Sequence, residues 1–125
     1  PPRSTLFPYT TLFRSVSEAV YIDKATVVFN GAVINSGTAI GECAILNTHS
    51  TVDHDCVIGS YVHIAPGVTL SGQVKLGDEV FVGVGATVIH GITICPSCVI
   101  GAGAVVIEDC VTPGTYVGVP ARRIK

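Results

Sequence analysis

Every sixth residue is aliphatic over most of the chain. The period passes through fifteen positions without a polar residue: Ile22, Val28, Ile34, Ile40, Leu46, Val52, Ile58, Ile64, Leu70, Leu76, Val82, Val88, Ile94, Ile100 and Val106. Two places earlier stands a smaller residue, as at Thr26, Ala32, Ala44, Ser50, Cys56, Val62, Ala86, Cys98 and Ala104. Because alternate residues of a strand share one face, both positions point inward, and the pattern predicts one short strand per hexad.

Glycines recur near the hexad boundaries, where they permit tight corners. Three hexads then form one triangular coil of eighteen residues, and coils stack at the strand spacing of about 4.8 Å. Gly31, Gly67, Gly85 and Gly103 share one corner column in this register, with His49 as the exception. The sequence therefore predicts an all-β protein, a parallel β-helix of hexapeptide repeats.

Composition excludes several classes of partner. The formal charge is -2 and no run of Lys or Arg occurs, so we expect no binding to nucleic acid or to an acidic membrane. The stretch 80–107 is uncharged and apolar, but it contains glycines and Pro96 within an unbroken hexad pattern. Coil strands are therefore expected there, with no membrane span.

The first fifteen residues share neither the composition nor the rhythm of the rest. PPRSTLFPYTTLFRS matches, without a mismatch, the in-frame translation of a common sequencing adapter, so residues 1–15 are interpreted as non-native. The natural sequence then begins near Val16. This predicts a β-helix domain over 16–112 and a short C-terminal tail over 113–125.

The hexad has the form aliphatic, small, two variable, small, variable, and the chain ends in Val117-Gly-Val-Pro-Ala-Arg122. Both features resemble hexapeptide-repeat acyltransferases, which are left-handed β-helices that work as trimers. The segment 47–59, NTHSTVDHDCVIG, followed by Val62-His63-Ile64, resembles the sialic acid O-acetyltransferase and UDP-4-amino-sugar N-acetyltransferase family. The resemblance implies a left-handed homotrimer that uses acetyl-CoA and a sugar or nucleotide-sugar acceptor.

Full-length members of that family carry an N-terminal domain that binds the nucleotide-sugar acceptor. The resemblance implies that this domain has been lost upstream of Val16, so we expect the chain to bind acetyl-CoA but to transfer acetyl groups poorly. An amino group on a UDP-linked sugar and a hydroxyl on a sialic acid both fit as the acceptor.

Acyl transfer from a thioester needs a base that takes the proton of the acceptor, and neutral imidazole suits that task. His54 is the candidate, because it follows Val52 at a corner from which it can project toward a neighbouring subunit. Asp53 and Asp55 flank it. The resemblance assigns Asp55 the role of strengthening the base, since a carboxylate stabilises the imidazolium.

The resemblance also implies residues that contact acetyl-CoA. His63 matches one such position, and Val84 matches a second, which would act through its backbone. Gly72 and Ala102 lie nearby in the register and are candidates for the same groove. Arg122 and Arg123 would either meet the phosphates of CoA or belong to a solvated tail.

The five cysteines do not form a zinc pattern, since Cys95-Pro-Ser-Cys98 has no partner pair. Cys56, Cys98 and Cys110 occupy the small inward position, which predicts core packing and no metal site. Unpaired thiols favour a reducing compartment, and we expect the protein to be cytoplasmic.

Two other functions remain open. Some β-helix trimers of this architecture are carbonic anhydrases that hold zinc with three histidines across a subunit interface. His49 and His54 are two candidates for such ligands, while the third position falls at Phe13. A non-catalytic scaffold is the other alternative.

Overall fold

Residues 14–125 of the computed structural model form three parallel β-sheets that are the faces of a triangular prism. The first face consists of β1 (Ser15–Val16), β4 (Val33–Ile34), β7 (Thr51–Val52), β10 (Thr69–Leu70), β13 (Thr87–Val88) and β16 (Val105–Val106). The second consists of β2 (Tyr21–Ile22), β5 (Ala39–Ile40), β8 (Val57–Ile58), β11 (Lys75–Leu76) and β14 (Thr93–Ile94). The third consists of β3 (Val27–Val28), β6 (Ile45–Leu46), β9 (His63–Ile64), β12 (Phe81–Val82), β15 (Val99–Ile100), β17 (Thr115–Val117) and β18 (Arg122–Arg123).

Strand partners within the repeat lie eighteen residues apart, as the hexad register predicts. Ile34 pairs with Val52, and Leu70 pairs with Val88. Parallel ladders of this kind connect each coil to the next on all three faces. The predicted all-β fold and parallel β-helix are confirmed, while the left hand of the helix stays a prediction from the resemblance.

The core is the column of hexad aliphatics. All fifteen predicted aliphatic positions are at most 3% exposed. Three inward positions are polar, and each is satisfied: Thr26 donates to the carbonyl of Gly41, Thr38 to that of Asp53, and Ser50 to that of Asn47. A buried hydroxyl with its hydrogen bond made carries little penalty, so the inner column accepts it.

Each corner turns on a residue with positive φ. The predicted glycine column is confirmed, because Gly31, Gly67, Gly85 and Gly103 have φ between 67° and 75°, and His49 in the same column has φ 56°. Another corner uses no glycine at all, and its positive-φ residues are Ala25, Cys43, Tyr61, Glu79 and Ser97. Glycine is therefore one solution for the corner and not a requirement.

The C-terminal segment extends the third face. β17 pairs with β15 in parallel, and β18 folds back antiparallel onto β17. The Tyr116 hydroxyl donates to the carbonyl of Thr112 at 2.7 Å. A cavity of about 170 Å³ lies between this segment and the last coil, and its lining includes Glu108, Cys110 and Arg122.

Most of the segment interpreted as adapter-derived, residues 1–13, lies outside the described residues. Its last residue, Ser15, belongs to β1 and pairs with Val33. No helix in residues 14–125 is long and apolar enough to cross a membrane.

Candidate active site

His54 lies at the corner that joins the first face to the second, directly after β7 and Asp53. Asp53 Oδ1 accepts hydrogen bonds from the backbone N–H of His54 at 2.8 Å and from the side-chain amide of Asn35 at 2.9 Å. These two hydrogen bonds hold the pKa of Asp53 below its usual value, and the bond from Asn35 has the larger effect. Asp53 therefore caps the corner as a carboxylate.

The buried Thr38 supports the same corner from inside the prism. Its hydroxyl donates to the carbonyl of Asp53 at 2.9 Å and accepts the N–H of Cys56 at 3.2 Å. The backbone on both sides of His54 is thus anchored to one side chain of the preceding coil. Thr38 stands two places before Ile40, at the inward position of its hexad, but the hexad pattern does not show that it supports this corner.

His54 and Asp55 form a dyad. Nδ1 of His54 lies 2.9 Å from Oδ2 of Asp55, and their side chains are 47% and 59% exposed. In the tautomer that donates from Nδ1 to this carboxylate, Nε2 is the acceptor for another proton. The predicted pairing of these two residues is present, with the imidazole open to solvent.

Two glycines make room for the dyad. A Cβ on Gly37, in the preceding coil, would overlap the Asp55 carboxylate. A Cβ on Gly72, in the following coil, would overlap Nε2 of His54 and lie 2.6 Å from Cε1. Gly72 was predicted to line a cofactor groove, and the structure places it directly against the imidazole.

His90 is a residue that the sequence prediction missed. It lies 36 residues, or two coils, after His54, in the same corner column with Gly72 between them. The ring centres of the two histidines are 6.2 Å apart, and the rings are tilted by 48°. Two coil periods added to position 54 give position 90, so the repeat register could have identified His90 from the sequence.

His63 faces outward from β9 on the third face, as predicted. Its ring contacts Phe81 edge-on, with ring centres 5.2 Å apart, and Nε2 lies 3.4 Å from the side-chain nitrogen of Asn47. The aromatic contact fixes the plane of the imidazole.

Val84 and Ala102 occupy one column at the corner between the third face and the first, on adjacent coils. Both are exposed. No hydrogen bond within residues 14–125 uses the backbone N–H of Val84, Ala102 or Gly72. The N–H groups of the exposed Val84 and Ala102 are therefore available as donors to a ligand, whereas Gly72 is buried beneath the His54 ring.

The predicted site residues fall into two groups. His54, Asp55 and Gly72 meet at the corner of the first and second faces, whereas His63 lies on the third face, with Val84 and Ala102 at its edge. In a triangular prism a corner is opposite the remaining face. A single chain therefore does not bring the two groups together.

His49 and His54, the histidines of the zinc alternative, lie at different corners, so they would meet only across subunits. Phe13 lies outside the described residues. Within the described part of the chain, no group of three or more His, Cys, Asp or Glu side chains is arranged to hold a metal ion.

The inward cysteines are confirmed as core residues. Cys56, Cys98 and Cys110 are at most 2% exposed. Burial raises the pKa of all three thiols, that of Cys98 to about 12 and that of Cys110 to about 11. They stay protonated near neutral pH and are poor nucleophiles or metal ligands.

Both arginines of the C-terminal segment have partners within the chain. Arg122 lies 3.3 Å from the carboxylate of Glu108, and Arg123 donates to the carbonyl of Pro113 at 3.2 Å. All four groups lie near the C-terminal end of the prism, three coils from His54.

No protein-family model matches the chain. It is 37% identical, over 68 residues, to an acyl-(acyl-carrier-protein)–UDP-N-acetylglucosamine O-acyltransferase of Campylobacter concisus (strain 13826); those residues are 49% of this chain and 26% of that protein. The acetyltransferase domain of PglB from Neisseria gonorrhoeae FA1090 is 35% identical with a TM-score of 0.89. That match covers 95% of this chain and 56% of the other, and a further structure of the domain contains acetyl coenzyme A.

PerB from Caulobacter crescentus, in complex with CoA and GDP-perosamine, is 39% identical with a TM-score of 0.90. The match covers 91% of this chain and 55% of PerB, so the chain spans little more than half the length of these relatives.

A parallel β-helix of hexapeptide repeats with a corner imidazole defines the class of protein. In fold and in sequence the chain is similar to the β-helix part of these acyltransferases.

Proposed function

We propose that the chain is the catalytic β-helix of an acetyl-CoA-dependent sugar acetyltransferase. The observation that carries the proposal is the His54–Asp55 dyad, whose partly exposed imidazole packs on Gly72. The structural relatives that contain acetyl-CoA, or CoA with an amino sugar, support the donor and the class of acceptor.

The reaction is direct transfer. The amine or hydroxyl of the acceptor attacks the thioester carbonyl, a C–N or C–O bond forms, and the C–S bond breaks. Nε2 of His54 takes the proton of the attacking group, and that proton then passes to the leaving thiolate of CoA. Asp55 stabilises the imidazolium between these two steps.

On this proposal the donor lies along the third face. His63 contacts CoA, and the free N–H groups of the exposed Val84 and Ala102 donate to its carbonyl or phosphate oxygens, while Gly72 supports the imidazole at the dyad. The acceptor is a sugar with an amino group or a hydroxyl, linked to a nucleotide or free as in a sialic acid. The five unpaired thiols support a cytoplasmic location.

The separation of the two groups of site residues supports assembly of the chain as a homotrimer. The corner that carries His54 and the face that carries His63 meet only if they come from different subunits. The third face also leaves Phe81 and Val99 38% and 39% exposed, and a second copy would cover them.

We therefore expect light scattering at micromolar concentration to give three times the chain mass of 12.9 kDa. Phe81→Glu should weaken the trimer, because it places a charge in an apolar contact. Lys75→Glu is the control, since it puts the same charge on the second face, and it should stay trimeric. A monomer for the unsubstituted chain would contradict the shared site.

The backbone donor at Val84 can be tested without changing the fold. Pro66 occupies the same corner position one coil earlier, and Gly83 precedes Val84, so the backbone should accept Val84→Pro. This change removes the N–H group. Calorimetry should show roughly 3- to 10-fold weaker CoA binding, the effect of one hydrogen bond.

Val84→Ala is the matched control, because it shortens the side chain but keeps the N–H. It should bind CoA like the unsubstituted chain. Equal affinities for the proline and alanine variants would contradict a backbone contact at this position. A folded trimer that binds no CoA would overturn the proposed function.

A further inference from the structure

His90 belongs to the same corner column as His54. Among the described residues of that column, it is the ionisable side chain beside the dyad to which the proposed mechanism gives no role. It is exposed, as is His54, and its place in the column follows Gly72. Glu108, the next residue of the column, is bound to Arg122 at 3.3 Å. The exposed imidazoles of His54 and His90 therefore stand on either side of the buried Gly72.

The reactive nitrogen of His54 lies on the side of its ring nearest Gly72. Nδ1 is held by Asp55, and Nε2 lies against the Cα of Gly72, on the side of the coil that leads to His90. Because Gly72 has no side chain, the imidazole of His54 occupies the space over it. A group that reaches Nε2 along this side of the corner comes close to the second imidazole.

The distance between the rings allows both to contact one substrate. A ring nitrogen with a hydrogen bond of about 2.9 Å holds the bonded atom roughly 4 Å from its ring centre. Two imidazoles can therefore share one atom, or hold two groups on neighbouring carbons, when their centres are within roughly 8 Å. The observed separation is 6.2 Å.

The charges around the corner select the kind of group. The carboxylates of Asp53 and Asp55 flank His54, and hydrogen bonds from Asn35 and His54 hold the pKa of Asp53 low, so both repel an anionic substituent. A neutral hydroxyl fits better. Neighbouring substituents of a sugar ring lie within hydrogen-bonding distance of each other, which matches a pair of imidazoles at this spacing.

We propose that His90 is a specificity-determining residue, which hydrogen-bonds to the sugar hydroxyl next to the reacting group while His54 takes the proton of the reacting group. This inference rests on the proposed function of the dyad. It adds a preference for acceptors that carry two neighbouring polar groups.

The test compares His90→Ala and His90→Gln on two acceptors, a nucleotide-linked amino sugar with a hydroxyl beside the amine and its deoxy analogue. On the first acceptor, His90→Ala should lower kcat/KM roughly 3- to 10-fold, the effect of one neutral hydrogen bond. His90→Gln should retain more, because the amide keeps a donor and an acceptor. On the deoxy analogue both variants should equal the unsubstituted protein, and CoA affinity should not change.

His49→Gln is the matched control. It removes an exposed corner imidazole at the other end of the first face, and Gln73 shows that glutamine adopts the required φ, 59° against 56° for His49. It should keep full activity on both acceptors. Equal losses for His90→Ala on the two acceptors, or no loss on either, would overturn the inference while the proposed function stands.

A binding measurement separates the two proposals. Titration of the hydroxylated acceptor into the CoA-bound protein should shift the ring resonances of His54 and His90 in NMR spectra. A shift of His54 alone overturns the role of His90. If no acceptor is acetylated and neither ring responds, the proposed function itself fails.

Discussion

Replacement of His54 by alanine should lower acetyl transfer by about 10²- to 10⁴-fold, the usual effect of losing a general base. The substitution removes an exposed side chain from a corner whose backbone is held by Asp53 and Thr38, so the fold and CoA affinity should stay intact. Thiol release from acetyl-CoA measures the rate. The acceptor is supplied at its highest soluble concentration, because the chain spans little more than half of its relatives.

Asp55→Asn is the companion variant. Asparagine tolerates the positive φ of 56° at this position and keeps the size of the side chain. It removes the charge that stabilises the imidazolium, so the rate should fall, but by less than in His54→Ala. Unchanged activity in the alanine variant would refute His54 as the base.

Replacement of Gly72 by alanine should lower the rate about 10- to 100-fold without unfolding the chain. Gly72 does not have positive φ, so alanine fits its backbone, but the new Cβ would overlap the imidazole of His54. The exposed ring must move, and misplacing a catalytic group by about 1 Å can cost as much as 10²-fold. Rate measurements and thermal unfolding together check both halves of this prediction.

The control is Gly72→Ala in a chain that lacks the imidazole of His54. In the His54→Ala background, Gly72→Ala should have no further effect, because the three atoms nearest to the new Cβ all belong to the ring that has been removed. If Gly72→Ala lowers the rate by the same factor with and without the His54 imidazole, Gly72 acts in another way. Full activity of Gly72→Ala alone would show that the imidazole adapts to the new Cβ.

The repeat made most of the fold predictable from the sequence. A short strand exposes alternate residues to one side, so the inward column from Ile22 to Val106 could be read position by position. The coil of eighteen residues followed from the same period, and it placed the glycine column and the corner position of His54 correctly. The dyad with Asp55 was also within reach, because adjacent residues at one corner must lie close together.

Tertiary stacking decided what surrounds those residues. The support from Thr38, the space at Gly37 and Gly72 and the second imidazole of His90 all come from neighbouring coils, 16 to 36 residues away in the chain. A hexad pattern specifies which side of a strand a residue faces, but not the rotamer that brings a ring over a glycine. The sequence by itself therefore determined the β-helix and the corner position of His54, whereas only the stacked coils decided which side chains surround its imidazole.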